Sequence, residues 1–388
     1  MISSVQIPPM IRIGGGACTE LPLVLSELGV TRPLIVTDPT MVAVGHAARL
    51  ASICAEAGIV SETFSDTVPE PTASSIDGGV AVFRAGDFDA IVALGGGSAI
   101  DSAKAIAVLA HLGGTIRDYA VPKEVGRIPV PVIAVPTTAG TGSECTRFTV
   151  ITDDATDEKL LCRGAGFLPA AAIVDYEFTL TAPRRLTADT GIDALTHAIE
   201  AYVSRRANDL SDDFAQAAMA RISRHIERAC DDPADHEARA AMMTGATLAG
   251  MAFSNASVAL VHGMSRPVGA LFHVPHGLSN AMLLPCITRF SIPAASARYA
   301  HCARVMGWAE TAASDEAACA SLVDGLQALN RRLQVPGPAE FGIGRDAWFA
   351  NLERMASQAE ASGSPANNPR IPTQAEMVAL YTEVWGND

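Results

Sequence analysis

DAIVALGGGSAIDSAKAIAVLA, residues 89–110, decides how the first half of this chain folds. Residues 89 to 94 are short and mostly apolar, the pattern of a buried strand. Gly95, Gly96 and Gly97 predict a tight turn, and the alanine-rich run after them predicts a helix that Ser98 or Asp101 can cap. A glycine turn between strand and helix lets backbone N–H groups approach a pyrophosphate, and the helix N-terminus favours its negative charge. The spacing is not Gly-x-Gly-x-x-Gly, and taken alone it equally suits a tight strand–helix connection with no ligand. A second loop, VPTTAGTGSE (135–144), follows another apolar strand, PVIAV (131–135). There Thr137, Thr138 and Thr141 supply hydroxyls, and Gly140 and Gly142 let the backbone come close. Two such loops after two consecutive strands favour a nucleotide.

Outward from these loops the same alternation continues. PLIVT (33–37), IVSETF (59–64) and AAIVD (171–175) read as strands, and intervening stretches such as HAARLASICAEAG (46–58) are long enough for crossover helices. This predicts a mostly parallel sheet with helices on both faces. FTVITDDATDEKLL (148–161) predicts a β-hairpin with a polar turn. After TLTAPRRL the pattern changes, and from about residue 188 alanine-rich helical segments dominate. The expected division is an α/β dinucleotide-binding domain over 1–183 and an all-α domain over 184–388. ASGSPANNPRIPT (361–373) reads as a loop before a last helix, QAEMVALYTEVW.

The second half carries one carboxylate and three imidazoles in motif-like segments. Asp193 and His197 lie in GIDALTHAIEAY, and His262 and His276 in VHGMSRPVGALFHVPHGLSNA. Asp193 and His197 are four apart, so a helix stacks them on one face. That spacing alone also suits a helix-surface ion pair. His262 falls in an apolar helical run, and His276 follows Pro275 at a turn into the next helix. Together the four suit a first-row divalent metal such as Fe²⁺ or Zn²⁺. No Cys-x-x-Cys pattern is present, which argues against a structural zinc finger.

Composition narrows the class. A length of 388 residues suggests two domains, and 49% hydrophobic with 18% charged residues indicates a large packed core. The net charge of −14 disfavours nucleic acid and anionic membrane as partners. Eight scattered cysteines read as reduced thiols of a cytoplasmic protein. MISSVQIPPM lacks a basic region followed by an apolar one, so no signal peptide is expected. No run of about 18 apolar residues predicts a membrane span.

In family order and over nearly the whole chain, GGGSAIDSAK (95–104), PTTAGTGSE (136–144), GIDALTHAIEAY (191–202), HGMSRPVG (262–269), VPHGLSNAMLLP (274–285) and NNPRIPT (367–373) resemble the iron-containing, group III alcohol dehydrogenases. These are related in fold to glycerol dehydrogenase and dehydroquinate synthase. The resemblance implies NAD, Fe²⁺ (with Zn²⁺ or another divalent ion as substitutes), a small alcohol or aldehyde substrate, and a homo-oligomer. It places a specificity-setting Asp at Asp38, after the second strand, where a carboxylate can bond the adenosine ribose and repel a 2′-phosphate. It puts Lys159 near the cofactor, and Phe148 and Phe253 toward the substrate. The chain departs from the family pattern at Arg266, where many members carry His, and at Glu70, where Asn is common. If the segment stays helical, His262, Arg266 and His273 share one face. His273 is then a candidate proton relay and Arg266 a candidate for an anionic substrate group; a salt bridge and a helix cap are the plainer readings. Alternatives are a reductase of a hydroxy or oxo acid or of a maleylacetate-type substrate, which in the last case is expected to lack part of the ligand set, and a dehydroquinate synthase-like lyase, which needs a Lys/Arg cluster for phosphate.

Overall fold

Residues 2–156 and 158–386 are described by a computed structural model. The chain divides into two compact units, Gln6–Ala182 and Pro183–Asp388, the latter taking in Met1–Val5.

The first unit carries strands β1 (Met10–Ile13), β2 (Pro33–Val36), β3 (Glu62–Phe64), β4 (Ala90–Gly95), β5 (Val132–Pro136), β6 (Phe148–Asp153), β7 (Glu158–Arg163) and β8 (Ala171–Val174). Six of them form a sheet in the order β1-β8-β5-β4-β2-β3, with every pairing parallel. β2, β4, β5 and β8 are buried along their whole length, as expected of parallel strands covered on both faces. Side chains alternate between two cores. Leu34, Val36, Ile91 and Ala93 pack with Ile76, Val80, Ile100 and Ile106 of α4 (Ala73–Ala85) and α5 (Gly97–Leu112). Ile35, Val92, Leu94 and Ile133 face the other way, onto Leu21, Leu25, Leu50 and Cys54 of α1 (Leu21–Glu27) and α3 (His46–Glu56). A short helix α2 (Pro39–Ala43) follows β2. β6 and β7 make the antiparallel hairpin, with Asp153 opposite Glu158. Asp157, in its turn, lies outside the described residues.

The chain runs from β2 out to β3 at the edge, then back to β4 on the opposite side of β2. That reversal opens a crevice at the C-terminal ends of β2 and β4, the place where open α/β sheets bind ligands.

Three local expectations change. β1 was not anticipated: it is a four-residue edge strand carrying Arg12, too short and too exposed to show a strand period. The stretch 59–64 pairs only over Glu62–Phe64, at the opposite edge. Neither Ser98 nor Asp101 caps α5, whose N-cap is Gly96 with no side-chain bond. Ser98 lies inside the first turn, and Asp101 is held elsewhere by tertiary bonds described below.

The described residues of the second unit contain helices and no strand. The main ones are α6 (Arg184–Val203), α7 (Asp209–Asp231), α8 (His236–Ala256), α9 (Leu260–Phe272), α10 (His276–Ser291), α11 (Ser296–Val305) and α12 (Asp315–Arg332), followed by shorter ones and Gln374–Trp385. α6 packs against α7, α8 and α10 and is buried almost all round from Thr187 to Val203. Asp193 and His197 therefore sit in the interior, which removes the surface ion-pair reading. α10 approaches α6 so closely that a Cβ on Gly277 would lie 2.3 Å from the Asp189 carbonyl oxygen. All eight cysteines are free and buried.

Candidate functional site

α6 presents Asp193 and His197 one turn apart, α9 brings His262, and His276 is the first residue of α10. One ligand atom from each of the four lies within 4.8 Å of all the others. Nε2 of His262 and of His276 stand 3.5 and 3.6 Å from Asp193 Oδ1. An ion with ligands at about 2.0–2.2 Å sets neighbouring ligand atoms roughly 3–3.6 Å apart, so the spacing fits one. Asp193, His197 and His262 are buried, while the His276 side chain is 43% exposed and leaves the cluster open on its side. The His197 ring stacks between Phe253 and His262, with centroids 4.2 and 4.4 Å away.

The electrostatics point the same way. Burial opposes a charge on Asp193, but His197, His276 and His262 together hold its carboxyl well below the usual range. Burial likewise works against protonated His262, yet Asp193 and Glu200 raise its pKa overall. Asn280 Nδ2 lies 2.7 Å from Asp193 Oδ1, 3.1 Å from His262 Nε2 and 3.3 Å from His276 Nε2, and a cation among the four ligand atoms would be met by the carboxylate charge and the imidazole lone pairs together. One oxygen and three nitrogens match Fe²⁺ or Zn²⁺.

Two contributors escaped the sequence reading. Glu200, 3% exposed, accepts from His262 Nδ1 at 2.7 Å, Ala259 N at 2.9 Å and Val261 N at 2.5 Å. It fixes the His262 tautomer with Nδ1–H engaged, so the Nε2 lone pair faces Asp193. Glu200 is seven residues after Asp193, on the same helical face, and that spacing was the available signal. Asn280, four residues after His276 and fully buried, donates from Nδ2 to Asp193 Oδ1 at 2.7 Å.

The supposed stripe on α9 ends early. The helix stops at Phe272, and His273 is its C-cap, left-handed at φ 55° and exposed. His273 thus leaves the face that His262 and Arg266 share. Arg266 donates from Nη1 to Ser364 Oγ at 3.1 Å and makes no ion pair among the described residues. Phe253 lies against His197, whereas Phe148 starts the hairpin of the first unit.

In the first unit the two glycine loops meet. Thr137 N donates to the Gly95 carbonyl at 3.0 Å, and Thr138 and Thr141 lie against Gly96 and Gly97. Gly95 has φ 149°, and a Cβ there would lie 2.6 Å from that of Ala99. With no side-chain cap, the first-turn N–H groups of α5 remain available to an anion. Asp38 caps α2 through Oδ1, accepting from Thr40 N and Met41 N. Its Oδ2 turns to the Gly95 turn, 3.3 Å from where a Cβ would stand. Asp101 takes Ser143 Oγ at 2.6 Å and Val150 N at 2.9 Å, tying the second loop and the hairpin to α5. Lys104, fully buried and pushed down to about 8 by desolvation, donates to Ser143, Thr146 and Phe148. Lys159 pairs with Glu70 at 2.6 Å, and the Glu70 N–H donates to Ser98 Oγ at 3.2 Å.

Comparison with known proteins agrees with this geometry. Residues 8–176 match the family model "Iron-containing alcohol dehydrogenase", and residues 187–385 match "Fe-containing alcohol dehydrogenase family, C-terminal". The chain is 37% identical to the NAD-dependent methanol dehydrogenase of Bacillus methanolicus, over 96% of this chain and 97% of that one. A crystal structure of 1,3-propanediol oxidoreductase superposes with a TM-score of 0.95 at 33% identity, covering 99% of this chain and 100% of the other. The sulfoacetaldehyde reductase of Bifidobacterium kashiwanohense, solved with NAD⁺, gives 0.90 at 28% identity, with both chains fully covered. With a buried Asp/His cluster in one unit, an open glycine turn in the other and both halves matched, this chain belongs to the iron-containing alcohol dehydrogenase family.

Proposed function

We propose that the protein is an oxidoreductase that moves a hydride between NAD(H) and a small primary alcohol or aldehyde, with a divalent ion held by Asp193, His197, His262 and His276. The observation that carries this reading is the convergence of those four side chains inside the helical unit. When bound, the ion supplies Lewis acidity that lowers an alcohol's pKa and polarises an aldehyde carbonyl, and NAD supplies the hydride carrier. Glu200 keeps the His262 lone pair aimed at the cluster. Phe253, beside His197, offers an apolar wall to a short carbon chain. His273, exposed and three residues before His276, is the candidate for exchanging the alcohol proton with water.

In this reading the first unit binds the cofactor. The α5 N-terminus, with Gly95, Gly96, Gly97 and Ser98, receives the pyrophosphate, and Thr137, Thr138 and Thr141 line the second loop beside it. Asp101 acts by bracing that loop through Ser143. Lys159, fixed by Glu70, borders the cofactor, and Phe148 borders the substrate. Asp38 selects NAD over NADP. Asp38→Gly is expected to raise the NADPH/NADH ratio of kcat/KM by roughly 10–100-fold, because the carboxylate facing a 2′-phosphate is gone. Gly at an N-cap costs only about a few tenths of a kcal/mol, so α2 persists. A wild-type protein that already uses NADPH better than NADH sinks the assignment.

We also propose a cytoplasmic homo-oligomer, a dimer or larger. Eight unpaired thiols suit a reducing compartment, and β1 at the sheet edge suits pairing with a second copy. The reading as a whole is tested by NADH oxidation with a panel of short aldehydes on metal-stripped and metal-reloaded protein. Turnover is expected only after reloading; no turnover with any aldehyde and any divalent metal rejects it.

A further inference from the structure

We propose that Asn367 is a positioning residue for the metal site, holding the turn from α8 to α9 that aims His262 at Asp193. This rests on the reading of Asp193, His197, His262 and His276 as the ligands of one ion, and adds what keeps one of them in place. The chain bends by 105° between α8 and α9, across only Ser257, Val258 and Ala259. His262 is the third residue of α9, so the course of those three residues decides where its imidazole stands. Ala259, the N-cap of α9, has no side chain that can bond the first turn.

The turn does not keep that course by itself. Ser257 has φ 66° and ψ 159°, a region open essentially to glycine alone. A serine persists there only where its surroundings over-determine it. Three anchors do so. Ser257 N donates to the Phe253 carbonyl at 2.7 Å, closing the end of α8. Glu200 accepts from Ala259 N and Val261 N on the other side of the turn. Between them, Asn367 Nδ2 donates to Ser257 Oγ at 3.0 Å and to the Val258 carbonyl at 3.1 Å. A carbonyl only accepts, so it is the amide nitrogen of Asn367 that faces the turn, with both of its hydrogens used.

Asn367 is buried and itself fixed. Its carbonyl accepts from Arg205 N at 2.8 Å, two residues past the end of α6. The short turn that carries it, Ser364–Asn367, lies against α9 at the residue after His262. A Cβ on Gly263 would stand 2.8 Å from Pro365 Cδ, and Arg266 Nη1 donates to Ser364 Oγ at 3.1 Å. The start of NNPRIPT thus joins the end of α6, the helix of Asp193 and His197, to the start of α9, the helix of His262. Glu200 selects the His262 tautomer, and Asn367 sets where the ring stands. Without this clamp Ser257 falls back to an ordinary backbone conformation, which ion binding must then reverse. The loss therefore appears in metal affinity and not only in stability.

The experiment measures the Zn²⁺ affinity of the full-length protein by competition with a chelator, beside the Tm of the metal-free form. Asn367→Ala is expected to bind Zn²⁺ about tenfold more weakly, the scale of one residue held in that region and of a lost partner behind a metal ligand. Adding Ser257→Gly to Asn367→Ala is expected to return most of that affinity, because glycine takes the same φ and ψ at no steric cost. A general loss of packing would lower Tm with no such recovery. Should Asn367→Ala fail to fold, Ser257→Ala and Ser257→Gly are compared as single variants. Both lose the hydroxyl bond to Asn367 and only alanine keeps the strain, so Ser257→Ala is expected to bind Zn²⁺ about three- to tenfold more weakly than Ser257→Gly. Unchanged affinity in Asn367→Ala, a loss that Ser257→Gly does not recover, or equal affinity in the two single variants overturns the inference and leaves the ligand set intact. A wild type that binds no Zn²⁺, or binds it equally well after His262→Ala, fails the ligand reading itself, and the inference with it.

Discussion

His262→Ala is expected to lose the divalent ion and to lower turnover by about 10³-fold or more. His262 is 2% exposed and sits 3.5 Å from Asp193 Oδ1, so its loss leaves a dry gap where one of four ligand atoms stood. The remaining cluster has two imidazoles and a carboxylate, one of them, His276, half open to solvent. Lewis-acid stabilisation by a bound ion is worth several kcal/mol, and each 1.36 kcal/mol is about tenfold in rate. Elemental analysis after reconstitution, run beside NADH oxidation, reads both effects. Full metal retention in the variant would remove His262 from the ligand set.

Glu200→Gln should be nearly as damaging, although Glu200 is not proposed to touch the ion. Its carboxylate is the acceptor for three buried donors, Ala259 N, Val261 N and His262 Nδ1. An amide has one acceptor oxygen and turns an NH2 group toward donors. At least one buried N–H is then left without an acceptor, at about 1–3 kcal/mol. His262 is also freed to adopt the other tautomer, which turns its lone pair away from Asp193. Metal affinity is expected to fall about 10–100-fold, the usual effect of losing such a partner, together with a lower Tm. A competition titration against a chelator measures the first and calorimetry the second. A variant with unchanged metal affinity would show that Glu200 only staples the α9 entry.

How much of this was legible in the sequence depended on whether the physics was local. The sheet followed from apolar runs of four to six residues bounded by glycine and proline, since strands buried on both faces need no partner information to be recognised. β1 was missed because an edge strand of four residues, one of them Arg12, carries no such run. The four proposed metal ligands were visible because the helical spacing of Asp193 and His197 is local and the two remaining histidines head their own motifs. Glu200 was visible by the same spacing and was passed over, because a glutamate near the end of a helix reads as surface until its burial is known. Asp101 reads as a cap because caps are local. Its actual partners, Ser143 and Val150, are more than 40 residues away, where local rules are silent. His273 was placed on a helical face that stops one residue short of it. Val274 precedes Pro275, and the bias of a pre-proline residue away from helical backbone was the signal against continuation.

The central claim is that Asp193, His197, His262 and His276 hold one divalent ion. Anomalous diffraction at the metal edge, from crystals grown with Fe²⁺ or Zn²⁺, tests it most directly. One peak per chain is expected, bonded by a carboxylate oxygen of Asp193 and one nitrogen from each histidine at about 2.0–2.3 Å. No peak between these side chains, or a peak elsewhere with the four left uncoordinated, would contradict the account.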